Sequence, residues 1–91
     1  MTTAEVTVKN KTGLHARPAA TFASTAAKFK SEVKVKNLAR NSAEVSAKSP
    51  VRILTLAISQ GAKIQISASG EDEKEAVSTL TALIDEGFGE L

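Results

Sequence analysis

The sequence predicts an α+β fold. A four-stranded, antiparallel-rich sheet is covered by three helices on one face and open to water on the other. Three observations carry this expectation. Segments of period-2 alternation and segments of helical period follow one another as strand, helix, strand, strand, helix, strand, helix. Each alternating segment has one apolar and one polar face, the pattern of a sheet buried on a single side. Turn-forming residues separate the segments, and no repeat or linker interrupts the 91 residues, which suits one domain, 1–91, with a small core.

In residues 4–9, Ala4, Val6 and Val8 share one face while Glu5, Thr7 and Lys9 share the other, a half-buried strand running into a turn at 10–13. Through 16–29, Ala19, Phe22, Ala23, Ala26 and Phe29 recur at helical spacing, and the many alanines let this helix approach the sheet closely. Residues 32–36 alternate again, with Val33 and Val35 inward and Lys34 and Lys36 outward. Residues 37–42 read as a connection and 43–47 as a weaker strand with Val45 and Ala47 inward, so the two strands form an antiparallel hairpin. Ser49-Pro50 opens a short helix, with serine at the N-cap and proline at the first helical position. Ile53 and Leu56 face the core, and Gln60-Gly61 ends the segment. Residues 63–68 form the clearest strand, with Ile64, Ile66 and Ala68 inward and Lys63, Gln65 and Ser67 outward. The last helix starts after Ser69-Gly70. Glu71, Asp72, Glu73 and Glu75 crowd its first turns, where negative charge suits the helix dipole. This cluster reads as helix-start electrostatics rather than as metal ligands. Ala76, Val77, Leu80, Leu83 and Ile84 form the buried stripe, and Gly87 followed by Phe88 fits a glycine cap with an apolar contact after it.

Composition excludes several classes of function. The chain has no cysteine, so neither a disulfide framework nor a thiolate metal site can form, which suits a reducing compartment. Its first residues show neither the basic nor the apolar region of a secretory signal, and no apolar stretch could span a bilayer. A cytoplasmic protein without direct membrane insertion is expected. A net charge of +2 can help steer the domain towards an acidic partner. With three phenylalanines and no tyrosine or tryptophan, it offers little to nucleic acid.

The functional signal lies in Lys11-Thr12-Gly13-Leu14-His15-Ala16-Arg17-Pro18-Ala19-Ala20, which holds the only histidine. Gly13 permits a sharp turn, and Pro18 belongs in a first helical turn, where its missing N–H had no partner to lose. The restriction on a residue before proline could start the helix a residue or two after Ala16. His15 therefore stands just ahead of a helix start, near the N–H groups of Ala16 and Arg17. Helix dipole, N–H donors and the forked guanidinium of Arg17 all favour an anion. A nucleophilic imidazole in an anion cradle is what transient phosphorylation of histidine requires. Turn and cap chemistry alone would also explain Gly13 and Pro18. No second general acid or base and no cofactor loop accompanies His15, so neither a metabolic enzyme nor a bound cofactor or metal is expected.

Taken together, Gly13-Leu14-His15-Ala16-Arg17-Pro18-Ala19 resembles the active-site signature of the HPr family. These are the histidine-containing phosphocarriers of the bacterial phosphoenolpyruvate:sugar phosphotransferase system. The resemblance implies an open-faced β-sandwich of βαββαβα topology with sheet order 1-4-2-3, an order that periodicity does not reveal. It implies that His15 accepts a phosphoryl group through Nδ1 from phosphorylated enzyme I and passes it to IIA domains of sugar permeases. Arg17 and the N–H groups at Ala16 and Arg17 would hold the phosphoryl oxygens. It also implies a monomer that docks its partners through Ala16, Ala20 and Ser24 of the first long helix and Val51, Arg52 and Leu54 of the short one. Ser49 occupies the place of a serine that a kinase modifies in many Gram-positive members. With Pro50 after it and Arg52 nearby, Ser49 reads here as a helix cap and not as a regulatory site.

Two features depart from the family pattern. The connection at 38–42 is longer than the usual tight turn, and Pro50-Val51-Arg52-Ile53-Leu54 replaces the run common in Gram-positive members, closer to the enterobacterial pattern. The ending Leu83-Ile84-Asp85-Glu86-Gly87-Phe88-Gly89-Glu90 is similar to nitrogen-branch and fructose-fused relatives. The alternative reading is accordingly a nitrogen-branch or other regulatory paralogue acting mainly through protein binding.

Overall fold

The first alternating run forms strand β1 (Thr2–Thr7) in the computed structural model, which describes residues 1–89. The strand begins and ends earlier than its period predicts, although Val8 continues the pairing: its N–H donates to Ala62 O at 2.9 Å and its carbonyl accepts from Gly61 N–H at 2.8 Å. Strand β4 (Lys63–Ser69) lies between β1 and β2 (Glu32–Asn37) and is antiparallel to both. β1 and β2 are therefore parallel, and the crossover between them carries the first helix. With β3 (Val45–Ser46) at the far edge, the order is β1-β4-β2-β3. The register sets Val6 opposite Ile64, Ala4 and Val35 opposite Ile66, and Val33 opposite Ala68, so the apolar faces coincide.

The strand predicted over 43–47 shrinks to Val45–Ser46. The chain leaves the ladder at Asn37, whose N–H donates to Ser42 Oγ at 2.8 Å. Residues Leu38–Arg40 form a 3-10 turn closed by Asn41 in the left-handed region. The connection uses its hydrogen bonds internally, so its residues cannot pair with β2.

Helix α1 spans Ala16–Ala26, α2 Pro50–Leu54 and α3 Glu73–Asp85. The start of α1 shows that Pro18 does not delay the helix, since Arg17 before it is already helical. Its end falls short of the predicted Phe29. There the winding tightens, with Lys28 N–H on Thr25 O and Phe29 N–H on Ala26 O, each at 3.2 Å. Phe29 still packs on the core.

That core lies between the apolar sheet face and the helices. Phe22, Ile53, Ile64, Ile66, Leu80 and Ile84 are fully buried, each worth about 1.5–3 kcal/mol of hydrophobic stabilisation. Ala19, Ala23 and Ala26 bring α1 close to the sheet. On the opposite, open face Lys34 pairs with Glu32 at 3.2 Å and Lys63 with Glu5 at 3.9 Å. Ser67 points to this open side, as its register predicts, yet is buried, with Thr3 Oγ1 donating to its Oγ at 3.4 Å.

At the start of α3, Asp72 is the N-cap residue but its carboxylate turns away from the helix. It accepts from Lys30 N–H at 2.8 Å, Ser31 N–H at 2.9 Å and Ser31 Oγ, and these bonds, led by the hydroxyl, lower its pKa from 3.8 to about 2. Glu73 accepts from Thr2 Oγ1 at 2.5 Å and Gly70 N–H at 3.3 Å and meets the N-terminal ammonium at 3.1 Å. With the Thr2 hydroxyl as the largest cause, its pKa falls from 4.5 to about 2. At the other end, Gly87 adopts φ 63 beyond the C-cap Glu86, and Phe88 packs on the core as predicted. Glu90, the last residue of the ending compared above, lies outside the described residues.

Candidate functional site

The loop before α1 is tied at both ends of its turn. Gly13 N–H donates to Asn10 O at 3.0 Å, and the buried amide of Asn10 donates through Nδ2 to Gly13 O at 2.6 Å. Gly13 takes φ 63, and a Cβ there would stand 2.3 Å from Ile58 O and 2.7 Å from Ser59 Cα. Only glycine combines that conformation with that approach. Leu14 is buried and its N–H donates to Ile58 O at 3.0 Å, so the loop rests on the backbone that follows α2.

Because Leu14 points inward, His15 is delivered to the surface as the N-cap residue of α1. Its carbonyl accepts from Ala19 N–H at 2.9 Å, while its exposed side chain makes no capping hydrogen bond. Ala16 and Arg17 follow as the first two helical residues, both exposed, and Pro18 is buried as the third. The N–H groups of Ala16 and Arg17 have no carbonyl one turn back within the helix, and the first turn contains no acidic residue. Residues 6–31 and 45–70 contain no aspartate or glutamate, while Lys9, Lys11, Arg17, Lys28, Lys30, Lys48, Arg52 and Lys63 lie within them, Lys9 being paired with Asp85 of α3 at 3.5 Å. An anion arriving at His15 meets a helix dipole and the Arg17 guanidinium two residues on, with no carboxylate in the first turn to oppose it.

The predicted docking residues all lie exposed on two helices that pack together. Ala16, Ala20 and Ser24 line α1, and Val51, Arg52 and Leu54 line α2. Val51 is 71% and Leu54 42% exposed, while Ile53 and Leu56 turn inward as their spacing predicts. Ser49 is the N-cap of α2, with its Oγ accepting from Arg52 N–H at 3.3 Å and Pro50 at the first helical position. Among the described residues no group of three or more His, Cys, Asp or Glu side chains converges on a metal position, and no helix is long and apolar enough to cross a membrane.

Sequence reasoning missed Asn10 and Ile58, on which the loop depends. Asn10 is recognisable only as a turn residue. Ile58 follows a helix without periodicity, so nothing local marks its carbonyl as the seat for Gly13 and Leu14.

Comparison with known proteins agrees with this geometry. A family model described as the PTS HPr component phosphorylation site matches residues 2–86. The chain belongs to the HPr family. It is 42% identical over 85 residues to the phosphocarrier protein HPr of Neisseria meningitidis serogroup A, covering 93% of this chain and 92% of that one. It is 43% identical over 84 residues, 92% of its length, to the multiphosphoryl transfer protein of Haemophilus influenzae, but spans 17% of that longer protein. The crystal structure of HPr-C-His from Thermoanaerobacter tengcongensis matches with a TM-score of 0.93 and 46% identity, covering 100% of this chain and 99% of that chain. The four-stranded sheet in order β1-β4-β2-β3 with three helices is thus the open-faced HPr sandwich.

Proposed function

We propose that this HPr-family chain accepts a phosphoryl group on His15 from phosphorylated enzyme I and delivers it to IIA domains of sugar permeases. The observation that carries the reading is the start of α1: an exposed histidine at the N-cap, its side chain not spent on capping, beside an acid-free first turn. In an in-line transfer the lone pair of Nδ1, the atom that the family resemblance implies, forms the new N–P bond. The bond from phosphorus to the donor nitrogen breaks and its electron pair stays with the donor. Onward transfer repeats the step with His15 as leaving group. Ala16 N–H, Arg17 N–H and the Arg17 guanidinium stabilise the three phosphoryl oxygens, so the chain supplies position and charge. Their grip must stay balanced, because binding phosphohistidine too firmly would stop delivery.

Ala16, Ala20, Ser24, Val51, Arg52 and Leu54 form the shared docking surface, an apolar patch rimmed by positive charge that suits partners with acidic rims. Ser49 serves α2 as its cap. The chain works in the cytoplasm as one HPr-like domain and as a monomer, a carrier rather than a metabolic enzyme. His15→Ala is expected to abolish labelling by enzyme I and labelled phosphoenolpyruvate. In the unaltered protein the label should be stable to base and labile to acid. Label retained on another residue of His15→Ala would overturn the assignment.

A further inference from the structure

The connection after β2 has no part in the chemistry above. Its anchor is Asn37, which is 1% exposed. The carbonyl oxygen Oδ1 accepts from Ala39 N–H at 3.0 Å, shaping the 3-10 turn. Nδ2 reaches in the other direction and donates to Leu56 O at 3.0 Å. Ser42 closes the connection on the same residue, with its Oγ accepting from Asn37 N–H at 2.8 Å and its N–H donating to Asn37 O at 3.1 Å.

Leu56 belongs to the turn that ends α2, its N–H donating to Ile53 O at 3.0 Å. The next residue, Ala57, adopts φ 51. An alanine holds the left-handed conformation only where its surroundings impose it. Ile58 follows, and its carbonyl is the seat of the phosphoacceptor loop. It accepts from Leu14 N–H at 3.0 Å and lies 2.3 Å from the point a Gly13 Cβ would occupy. Two hydrogen bonds and the short run from Leu56 to Ile58 therefore join the buried amide at the end of β2 to the residue before His15.

Resting on the reading of His15 as phosphoryl acceptor, we infer that Asn37 is a positioning residue for it. By holding Leu56 O, Asn37 fixes the left-handed turn at Ala57 and with it the Ile58 carbonyl on which Gly13 and Leu14 rest. The long connection supplies the fold that keeps the Asn37 amide in place. Loss of the bond lets the seat shift, and a small displacement of a reacting group is enough to slow an in-line transfer.

Asn37→Asp separates the two uses of the side chain. It keeps an oxygen for Ala39 N–H and removes the donor to Leu56 O. Two readouts are taken on the whole chain: amide hydrogen exchange at Leu14 by NMR, and kcat against KM for transfer from phosphorylated enzyme I. The lost hydrogen bond, with a carboxylate oxygen now facing the Leu56 carbonyl, predicts Leu14 exchange at least about 10-fold faster and kcat at least about 10-fold lower. KM should stay unchanged, because the docking residues are untouched. Either Leu14 exchange or kcat at the parent value in a folded Asn37→Asp protein overturns the inference, whatever its thermal midpoint. Should that variant fail to fold, Asn37→Ser takes its place with the same readouts: its hydroxyl oxygen can still accept from Ala39 N–H, while the shorter side chain cannot reach Leu56 O. Leu14 exchange or kcat at the parent value there would overturn the inference equally. A parent protein that takes no label refutes the acceptor reading itself, and Leu14 exchange then still decides whether the brace exists.

Discussion

The starts of α1 and α3 present the same local field to very different surroundings. Both helices leave N–H groups without intrahelical partners and carry positive partial charge at that end. At α3 the chain brings its own anions: Glu73 and Glu75 in the first turn and Asp72 at the cap. Asp72 binds Lys30 and Ser31, and Glu73 binds Thr2, Gly70 and the N-terminal ammonium. Negative charge at that helix start is thereby tied to the end of the α1 crossover and to the start of β1. At α1 the chain supplies no anion, and the N-cap residue is a histidine whose side chain does not cap. Who provides the negative charge separates a brace from the receiving site proposed at His15. A helix start that already holds its own carboxylates has little left to offer an incoming phosphoryl group.

Removing the receiving groups should give the largest effect on this contrast. Arg17→Ala is expected to slow phosphorylation of His15 by about 100-fold, the scale seen when one charge-stabilising donor is lost. Rapid-quench labelling with phosphorylated enzyme I measures it, with Arg17→Lys recovering part of the rate because it keeps the charge without the fork. A rate near that of the parent would mean that the helix N–H groups suffice.

A more direct exchange of roles is to make α1 resemble α3. Ala16→Asp places a carboxylate in the acid-free first turn. It should stabilise the fold by about 0.5 kcal/mol through the dipole while slowing phosphorylation about 10-fold through repulsion of the incoming anion. Urea denaturation and the labelling assay report the two quantities, and the opposite signs are the point. Raising salt should shrink both effects, since the site is exposed.

The smallest effect on transfer should come from the α3 end. Asp72→Ala is expected to lower the thermal midpoint by more than Glu71→Ala does, and to leave labelling of His15 unchanged. The pH dependence follows from the lowered pKa values. Asp72 and Glu73 titrate at about 2 in the folded protein, below their ordinary 3.8 and 4.5. Their stabilisation is complete above the ordinary values and is lost as pH falls through the folded ones. The urea midpoint of the parent should therefore drop between pH 5 and pH 2, and that of Asp72→Asn should drop less. Parallel curves for the two proteins would remove Asp72 from the account.

Much of the molecule was legible residue by residue. The alternation in β2 and β4, the inward turn of Ile53 and Leu56, the Ser49 cap and the glycine ending of α3 all depend on neighbours within a turn or two. Periods and caps record such short-range contacts directly. The histidine ahead of a helix start was legible for the same reason, and the fuller motif around it carried the family. The strand order came from the family resemblance and not from any period. Tertiary structure alone decided that β3 would be reduced to Val45–Ser46, that Asp72 would turn from its own helix to Lys30 and Ser31, and that Gly13 and Leu14 would rest on Ile58. The last two join segments far apart in the chain, and the first depends on Asn37, which holds Ser42 and also Leu56 O nineteen residues on. Hydrophobic period says which face of a segment is buried and is silent on which distant backbone group will lie against it. That choice is made only when the segments pack.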